Sequence, residues 1–531
     1  MKTVLHDHDY PARASTRAPV DRPALVAALA VAAFHTAFAS RYDLFRDELY
    51  FIVCGQHPAF GYVDQPPLVP LLAAGLYALG HGAFALRLPG ALVAGALVWL
   101  AARFVALLAP GPMGGGGGRL AAGLAMLAVA IAPMLMGLTA VLNTTLFDPL
   151  LWTAVAYLLA RAIRRGDDPR DGGRALIGAG LIVGLDLEIK YAMVFWAVGL
   201  AIGLLATPQR RLLLRPATWI ALAAGALVAL PSFVWQALHH FPFLELGAAA
   251  GDKNADVALG PFLANQVMVM NPALAPLWIA GLVGPFVLAR LKDLRFVPIA
   301  CLVVLVIVRA GHGKDYYLAP CYPVLFVLGA VTCAPLVTTV ARKALAGLMV
   351  VAAVAVSALV APVTMPLLSP AMLPGYMARI GFAPQQQERS FVGTRLPQVF
   401  ADQLGWHDFT RQVVDAWERI APGDRARTGI KLDNYGEAAA LDLYGRPAGL
   451  PPSLSGHNQY FMWGLRGQNP TDLLVVQRDA GDLRPYCASV EVLATTSSPF
   501  AMTYENGKKI ALCRGLKQPL DRLWPQIKHF D

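Results

Sequence analysis

Long apolar runs fill the first two thirds of the chain, and short polar or basic segments separate them. An α-helix of about 20 apolar residues is long enough to cross the hydrocarbon core of a bilayer. The pattern therefore predicts an all-α polytopic membrane protein with about 11 to 13 transmembrane helices. The apolar runs behind this prediction are residues 23–40, 84–109, 120–139, 149–163, 175–190, 191–206, 217–236, 273–289, 296–310, 320–340 and 344–362.

The pattern changes after residue 362, where Trp, Asp, Asn, Gln and Gly become common and no apolar run is long enough to cross a membrane. We therefore divide the chain into a transmembrane domain, 1–362, and a soluble outer domain, 363–531. Helices alternate with buried strands in the outer domain, which predicts a small α/β fold. The predicted helices are 411–420 and 437–444, and the predicted strands are 427–432 and 472–478.

Composition agrees with a membrane protein. Of the 531 residues, 56% are hydrophobic and only 15% are charged, which excludes a string of ordinary soluble domains. The net charge of +10 would suggest nucleic-acid binding in a soluble chain, but here the basic residues lie in short loops between apolar runs. That is the positive-inside distribution, so we expect a lipid bilayer as partner and no nucleic acid.

The loops sort onto two sides. If the basic N-terminus is cytoplasmic, alternation places the strongly basic loops inside, namely 111–119, 161–174, 210–215, 290–295 and 342–343. The outer side then collects the polar segments 41–70, 143–148, 190–191, 239–271 and 311–317. The first run ends at 37–40 in small residues that resemble a signal-peptidase site. We favour an uncleaved anchor, because the polar region before this run is long.

The first outer loop, 41–70, is unusually rich in charge for a segment beside a membrane-spanning run. Such charges imply a hydrated cavity or a bound polar ligand. The chemistry that fits is group transfer from a lipid-linked donor, in which a carboxylate deprotonates an acceptor hydroxyl while cations hold the departing phosphate. Asp47 and Glu48 are the candidate bases. The candidate cations are Arg46, Lys190 and Lys314, and a divalent metal ion held by Asp64 and an imidazole would be a further one.

The six cysteines contain no CxxC pair, which argues against a zinc site or a redox motif built from cysteine. Cys487 and Cys513 are the two cysteines of the outer domain. Strands predicted at 490–496 and 502–504, around a Ser-Ser-Pro turn, would bring them side by side, so we predict a disulfide between them. The alternative is a pair of buried free thiols.

Several motifs resemble glycosyltransferase family 39, a group of bacterial membrane proteins. They occur along nearly the whole chain, in the order RDELYF, GYVDQPPLVPLL, FDPLLW, EIKYAMVFW, WQALHHFPFLE, GKDYYLAPCYP, NYGEAAALDLYG and LSGHNQYFMWG. The wider class includes protein O-mannosyltransferases and lipid A aminoarabinose transferases. The resemblance implies the GT-C fold, a polyprenyl-phosphate sugar as donor, and a multi-pass protein of the bacterial inner membrane with a periplasmic C-terminal domain.

The resemblance also implies roles for individual residues. Asp47 matches the catalytic acidic residue of the first outer loop, and Asp148 matches a second outer-facing aspartate. Asp64 and His239 stand where the aminoarabinose enzymes hold a metal ion, with His240 the less suitable neighbour. In those enzymes a lysine that contacts the phosphate follows the metal ligand. Gln65 stands at that position here, so the resemblance does not extend to this phosphate contact. The residues expected to bind the donor phosphate are Arg46, Lys190, Lys314, Tyr316 and Tyr317.

Each assignment has a structural alternative. The carboxylates at 47 and 48 would pair with Arg41 and Arg46 to order the loop, and Asp148 would start a helix before Pro149. Lys190 would pair with Asp186 one turn earlier. His239 would be an ordinary interfacial histidine. The lysine and tyrosines of 314–317 would form an interfacial belt, and 434–440 would be a helix start or an acceptor-side segment.

Together these features predict an inverting membrane glycosyltransferase that passes a sugar from a polyprenyl phosphate to a lipid, glycan or protein on the outer side of the membrane. The competing class is a polytopic transporter or a flippase for a lipid-linked sugar. The sequence contains no internal repeat and no matched pair of broken helices in two halves, which transporters of that kind often have. This favours the enzyme.

Overall fold

The computed structural model describes residues 22–109, 116–165, 169–254, 257–384, 388 and 393–531. Most of the N-terminal basic segment and residues 111–115 of the first basic loop lie outside these ranges. The first part of the chain is helical, with α1 (Arg22–Phe38), α2 (Arg46–Gln56), α3 (Leu68–Gly80), α4 (Ala83–Leu108), α5 (Gly116–Ile131), α6 (Pro133–Leu138), α7 (Asp148–Arg164), α8 (Pro169–Leu187), α9 (Met193–Leu205), α10 (Pro216–Leu238), α11 (Pro242–Lys253), α12 (Leu259–Val269), α13 (Ala275–Val287), α14 (Phe296–Ala310), α15 (Tyr322–Cys333) and α16 (Val340–Thr364).

Short 3-10 turns connect several of these helices. They are Thr144–Leu146, Pro208–Leu214, Pro272–Leu274, Ala289–Leu294, Asp315–Cys321 and Ala334–Leu336. Many of them begin at or contain proline, which cannot donate a backbone hydrogen bond to continue a helix.

Each predicted apolar run overlaps a helix, but the helices differ in length. Within the described ranges, five are long and apolar enough to cross a membrane, or up to seven if each of two bent pairs is counted as one span. Further apolar helices, such as α1 and α14, are shorter than this test requires. The helical class is therefore present, while the count of 11 to 13 spans made from the sequence stays a prediction.

Glycines let neighbouring helices of the body approach closely. A Cβ atom on Gly180 of α8 would lie 2.1 Å from the carbonyl oxygen of Ala221 in α10, and one on Gly329 of α15 would lie 1.8 Å from that of Leu277 in α13. Neither position has room for a side chain. Small residues at helix crossings are typical of membrane proteins, where close backbone packing stabilises the bundle.

Basic side chains gather at one end of the bundle. Arg164, in the last turn of α7, donates to the carbonyl oxygen of Leu108 at the end of α4 and pairs with Asp293 at 2.9 Å. Helix C-termini carry partial negative charge, so these cations stabilise them. α7 begins at Asp148, so the acidic start and the basic end of this helix lie at opposite ends of the bundle. This agrees with the two-sided distribution of loops.

The last part of the chain contains a mixed five-stranded sheet of β1 (Thr428–Leu432), β2 (Leu454–Ser455), β3 (Asp472–Gln477), β4 (Cys487–Thr495) and β5 (Lys509–Leu516), in the order β2-β1-β3-β5-β4. β1 is parallel to β2 and β3, and β5 is antiparallel to β3 and β4. The helices around it are α17 (Leu373–Ile380), α18 (Gln398–Ala401), α19 (Trp406–Glu418), α20 (Pro422–Arg425), α21 (Tyr435–Ala440), α22 (Gln459–Met462) and α23 (Leu520–Leu523), with shorter turns at Leu441–Gly445, Arg446–Ala448, Ala480–Leu483, Thr503–Glu505 and Trp524–Ile527.

The predicted elements of this region are found with small shifts. The helix predicted at 411–420 is α19, the strands predicted at 427–432 and 472–478 are β1 and β3, and the helix predicted at 437–444 is α21 continued by a π-turn. The strand predicted at 502–504 is wrong, because a 3-10 turn lies there and the second strand of the hairpin is β5. The soluble character of 363–531 and its boundary stay predictions.

The disulfide prediction is confirmed. Cys487 and Cys513 are bonded, with Cα atoms 5.5 Å apart, across the antiparallel pair β4 and β5. In the register of this pair Cys513 lies opposite Val490, so the bridge runs diagonally between the strands.

The sheet region docks on the first outer loop. Leu49 and Tyr50 of α2 share one buried apolar cluster with Trp406 of α19, Ile430 of β1 and Leu474 of β3. The contact is closest where α21 meets α2: a Cβ atom on Gly436 would lie 2.5 Å from Cγ of Arg46. The charged start of α2 is therefore covered by the region that follows residue 400.

Candidate active site

The two adjacent carboxylates at the start of α2 have different environments. Glu48 is fully buried; it accepts hydrogen bonds from the backbone N–H groups of Phe45 and Leu142, each at 2.8 Å. It also pairs with the buried Arg87 of α4 at 3.3 Å. Every one of these contacts is to the protein, and no oxygen is open to a substrate. The geometry favours a structural role for Glu48, and the partner is Arg87, not Arg41 or Arg46.

Asp47 faces the other way and is 29% exposed. The hydroxyl of Tyr435, in α21, donates to Asp47 Oδ1 at 2.8 Å, and Nε of Arg46 lies 3.5 Å from the same oxygen. Among the described residues, the recorded polar contacts of this carboxylate all reach Oδ1. The second oxygen remains available for a proton, so Asp47 is the better placed of the two candidate bases.

Arg46 connects α2 to the docked region. Its Nη1 donates to the hydroxyl of Tyr504 at 2.5 Å, its guanidinium lies 5.3 Å from the ring centre of Tyr435, and it is 4.0 Å from Asp402. Burial raises the pKa of Asp402 to about 6, although the charge of Arg46 opposes the rise. Arg46 therefore has several protein partners, and its predicted contact with a donor phosphate stays a prediction.

Lys190 lies between an acidic and an aromatic group. Its ammonium group is 4.0 Å from Oδ2 of Asp148, donates to the hydroxyl of Thr145, and lies 4.9 Å from the ring centre of Tyr317 and 5.8 Å from that of Tyr316. The recorded ion pair is thus with Asp148 on α7. Lys190, Tyr316 and Tyr317, which were all predicted to bind the donor phosphate, therefore lie together, and Asp148 lies beside them.

Asp148 is the first residue of α7, as expected for aspartate before proline, but its side chain does not cap the helix. It is buried, and its Oδ1 atom has no hydrogen-bond partner among the described residues. An acidic oxygen of this kind beside a cation suits a polar site rather than a helix cap.

Lys314 has a partner that the sequence did not suggest. Its ammonium group is 2.5 Å from Oε1 of Glu388. Burial opposes ionisation of Glu388, but the charges of Lys314, Arg46 and Lys253 outweigh it and lower the pKa of Glu388 to about 2. Lys314 therefore links loop 311–317 to Glu388.

Asp64 is held by neutral donors. The Tyr50 hydroxyl donates to its Oδ1 at 3.1 Å and the side-chain amide of Asn458 donates to its Oδ2 at 3.2 Å. Burial is the main cause that raises the pKa of Asp64 to about 6, and the charge of Asp47 adds to it. Asp64 thus lies in the same electrostatic environment as Asp47, on the other side of Tyr50.

The metal site predicted at Asp64 and His239 stays a prediction. The ring of His239 stacks on Trp235 with 4.0 Å between ring centres, and its Nδ1 is 2.8 Å from the carbonyl oxygen of Trp235. The described residues bring together a different group of three ligands, His457, His529 and Asp531, and neither Asp64 nor His239 is part of it. We therefore derive no reaction step from a metal ion.

Sequence analysis did not predict four partners of the candidate residues. They are Arg87, Glu388, Tyr435 and Asn458, which contact Glu48, Lys314, Asp47 and Asp64. Arg87 carried a signal, since a charged residue inside an apolar run implies a polar partner. Tyr435 and Asn458 lie in motifs that were noticed, but nothing local indicated that these motifs would touch 47 and 64. Glu388 carried no signal.

Comparisons with known proteins agree with this architecture. Residues 64–235 match the family model described as dolichyl-phosphate-mannose-protein mannosyltransferase. The lipid A galacturonosyltransferase RgtD of Rhizobium johnstonii is 31% identical over 203 residues, which are 37% of this chain and 39% of RgtD. The chain thus matches about two fifths of the length of this curated relative.

The fold is that of a known membrane protein. ArnT from Cupriavidus metallidurans, solved with bound undecaprenyl phosphate, superposes with a TM-score of 0.58 at 14% identity, covering 93% of this chain and 98% of ArnT. Its apo form gives 0.58 at 13% identity, covering 92% and 98%. These structures show the GT-C fold, and with the sequence matches they confirm the resemblance to the family 39 type of membrane glycosyltransferase.

Proposed function

We propose that this protein is an integral-membrane glycosyltransferase that moves a sugar from a polyprenyl phosphate to an acceptor on the periplasmic side of the inner membrane, with inversion at the anomeric carbon. The observation that carries the proposal is the placement of Asp47. It is a partly exposed carboxylate, fixed through one oxygen by Tyr435, and Nε of Arg46 lies 3.5 Å from the same oxygen. A fixed base beside a cationic group is what this transfer requires.

In the proposed reaction, Asp47 accepts the proton of the acceptor hydroxyl through its free oxygen. The acceptor oxygen attacks the anomeric carbon from the face opposite the phosphate, the new C–O bond forms, and the bond to the phosphate oxygen breaks. The electron pair of that bond leaves with the polyprenyl phosphate. A phosphate is a stable anion, so no general acid is needed and one base suffices.

The cations of the site would hold the donor phosphate. Lys190 is the best candidate, because Tyr316 and Tyr317 of a second segment lie around its ammonium group and Asp148 of α7 lies beside it. Lys314, which pairs with Glu388, and Arg46 are the further candidates. Cationic groups placed where negative charge develops stabilise the transition state.

The named relatives support a lipid-linked donor and a lipid acceptor. The ArnT structure contains undecaprenyl phosphate, and RgtD is a lipid A galacturonosyltransferase. We extend both chemistries to this chain as a proposal, with glycan and protein acceptors as the alternatives.

The test is transfer by the purified protein. The full chain, reconstituted in lipid nanodiscs, is incubated with lipid A and with undecaprenyl phosphates carrying aminoarabinose, galacturonic acid or mannose, and the lipids are analysed by mass spectrometry. We expect one donor to be consumed with release of undecaprenyl phosphate and a matching mass gain on the acceptor. A transporter or flippase would instead move an intact fluorescent lipid-linked sugar between the leaflets of vesicles, and that result without transfer would overturn the proposal.

A further inference from the structure

A group of metal-ligating side chains lies beside the candidate active site, with the ring centre of His457 4.8 Å from that of Tyr435. His457 follows strand β2, whereas His529 and Asp531 lie at the end of the described chain, after Trp524–Ile527. The ligand atoms of the three residues all lie within 4.8 Å of one another. Nε2 of His457 is 2.8 Å from Oδ1 of Asp531, and the ring centres of the two histidines are 4.5 Å apart.

The backbone holds the two segments in register. The N–H of His529 donates to the carbonyl of Gly456 at 3.0 Å, and the N–H of Asn458 donates to the carbonyl of His529 at 3.1 Å. A Cβ atom on Gly456 would lie 1.8 Å from the carbonyl oxygen of Ile527, so only glycine allows this approach. The fold itself therefore brings the two imidazoles together. Less conformational entropy is then lost when an ion binds them.

We propose that His457, His529 and Asp531 bind a divalent transition-metal ion, with Zn²⁺ as the best fit. Two imidazoles and one carboxylate are a common three-ligand set for zinc, with a fourth position left for water or another ligand. This proposal does not rest on the proposed transferase activity, and its three ligands differ from the pair Asp64 and His239 that the sequence suggested.

The hydrogen bonds of the two histidines fit this role to different degrees. Nδ1 of His529 is 3.1 Å from the carbonyl oxygen of Ile527, which places the proton on Nδ1 and leaves Nε2 free for an ion. In His457, Nδ1 accepts from the Tyr435 N–H at 3.4 Å, while Nε2 faces Asp531. Ion binding would move the His457 proton to Nδ1 and break that contact. The contact is long and therefore weak, but its loss leaves the buried N–H of Tyr435 without this acceptor, and zinc binding must outweigh that cost.

The types of ligand favour zinc over calcium or magnesium. The three residues offer two imidazole nitrogens and a single carboxylate. Ca²⁺ and Mg²⁺ depend on several oxygen ligands and their negative charge. Zn²⁺ gains most of its affinity here from bonds to imidazole nitrogen.

The test measures the metal directly. The full chain, purified without a histidine tag, is stripped with EDTA, incubated with Zn²⁺, desalted and analysed by elemental mass spectrometry, and its thermal unfolding is followed with and without Zn²⁺. We expect stoichiometric zinc and a higher melting temperature with zinc. His529→Ala and Asp531→Asn, both at exposed positions, should each bind zinc roughly tenfold or more weakly and lose the shift.

His407→Ala is the matched control, because His407 is an exposed histidine that pairs with Asp43 outside the cluster. It should retain zinc and the shift. The proposal is overturned if the wild-type chain retains no zinc, if His529→Ala and Asp531→Asn bind it as the wild type does, or if His239→Ala abolishes binding instead. Parallel loading with Mg²⁺ and Ca²⁺ should leave the melting temperature unchanged, and an equal shift with either ion would contradict the assignment to zinc.

Discussion

Asp47 and Glu48 are neighbours in the chain but have different proposed roles, a chemical one for Asp47 and a structural one for Glu48. Glu48 is buried against Arg87, whereas Asp47 is partly exposed and accepts a hydrogen bond from Tyr435. Their substitutions should therefore fail for different reasons.

Asp47→Asn should abolish transfer while the protein folds and binds donor nearly as the wild type does. The amide retains the shape of the carboxylate but cannot take the proton, and loss of a general base typically costs ~10²- to 10⁴-fold in rate. The measurement is the transfer rate of purified protein in nanodiscs, with Asp43→Asn in the same loop as the control. Transfer at the wild-type rate would remove Asp47 from the mechanism.

Glu48→Ala should instead destabilise the protein. Removing one partner of a buried ion pair leaves Arg87 charged and uncompensated, which costs about 3–5 kcal/mol. Thermal unfolding in detergent measures the loss, with the exposed Glu491→Ala as control. A stable but inactive Glu48→Ala protein would return Glu48 to the list of candidate catalytic residues.

Tyr435→Phe tests a positioning role across the docked interface. The phenyl ring keeps the packing on Arg46 and Tyr50, but Asp47 loses its hydroxyl partner. A hydrogen bond to a charged group contributes about 1.5–3 kcal/mol, so we expect kcat to fall by one to two orders of magnitude with little change in KM for the donor. Tyr486→Phe, at an exposed position, should behave as the wild type; a purely structural role would lower stability and leave kcat unchanged.

At the scale of elements, Glu388 holds loop 311–317 through its ion pair with Lys314. The folded-state pKa of Glu388 is about 2, below its ordinary value of 4.5, so the pair stabilises the folded protein above pH 4.5 and loses this contribution as the pH falls toward 2. This lowering of the Glu388 pKa corresponds to a contribution of at most about 3 kcal/mol to the free energy of unfolding.

Glu388→Gln should therefore lower the melting temperature at pH 7. The difference in melting temperature between this variant and the wild type should become smaller as the pH falls below 4.5. Thermal unfolding between pH 3 and 8 measures this difference, with Glu491→Gln on the exposed face of β4 as the control. An unchanged melting temperature at pH 7 would show that the ion pair contributes nothing to stability.

The β4–β5 hairpin is the element that the disulfide fixes. A bridge that closes a loop of this length stabilises a fold by roughly 3 kcal/mol on the chain-entropy model. Replacing Cys487 and Cys513 together by serine should lower the melting temperature accordingly. Alkylation of the non-reduced wild-type protein should add no label at these positions by intact mass and peptide analysis. Two labels without reductant would contradict the bridge.

At the scale of the whole molecule, the arrangement of loops predicts an orientation. The basic ends of helices such as α7 gather at one end of the bundle, and the candidate site lies at the other. A reporter that is active only outside the cytoplasm should be active when fused at Val363 and inactive when fused at Gly172. The reverse pattern would place the candidate site in the cytoplasm and invalidate the proposed reaction.

The sequence could predict those features that depend on residues close together in the chain. Apolar periodicity predicted the helices, and alternation predicted β1, β3 and α19, because these patterns are local. The search for bases and cations selected Lys190, but it could not separate Asp47 from Glu48, since their difference arises from Arg87 in another helix. The resemblance selected Asp47 and Asp148. Neither could indicate Tyr435 or the His457 cluster, whose partners meet only after the sheet docks on the body.

The contact between Asp47 and Tyr435 joins residues 388 positions apart in the chain. Chains are synthesised from the N-terminus, so α2 is made long before residue 435 leaves the ribosome. Asp47 gains its hydroxyl partner only when α21 has been made and Gly436 has packed against Arg46. Under the proposed mechanism, the base would therefore be fixed in place only in chains whose synthesis has passed residue 435.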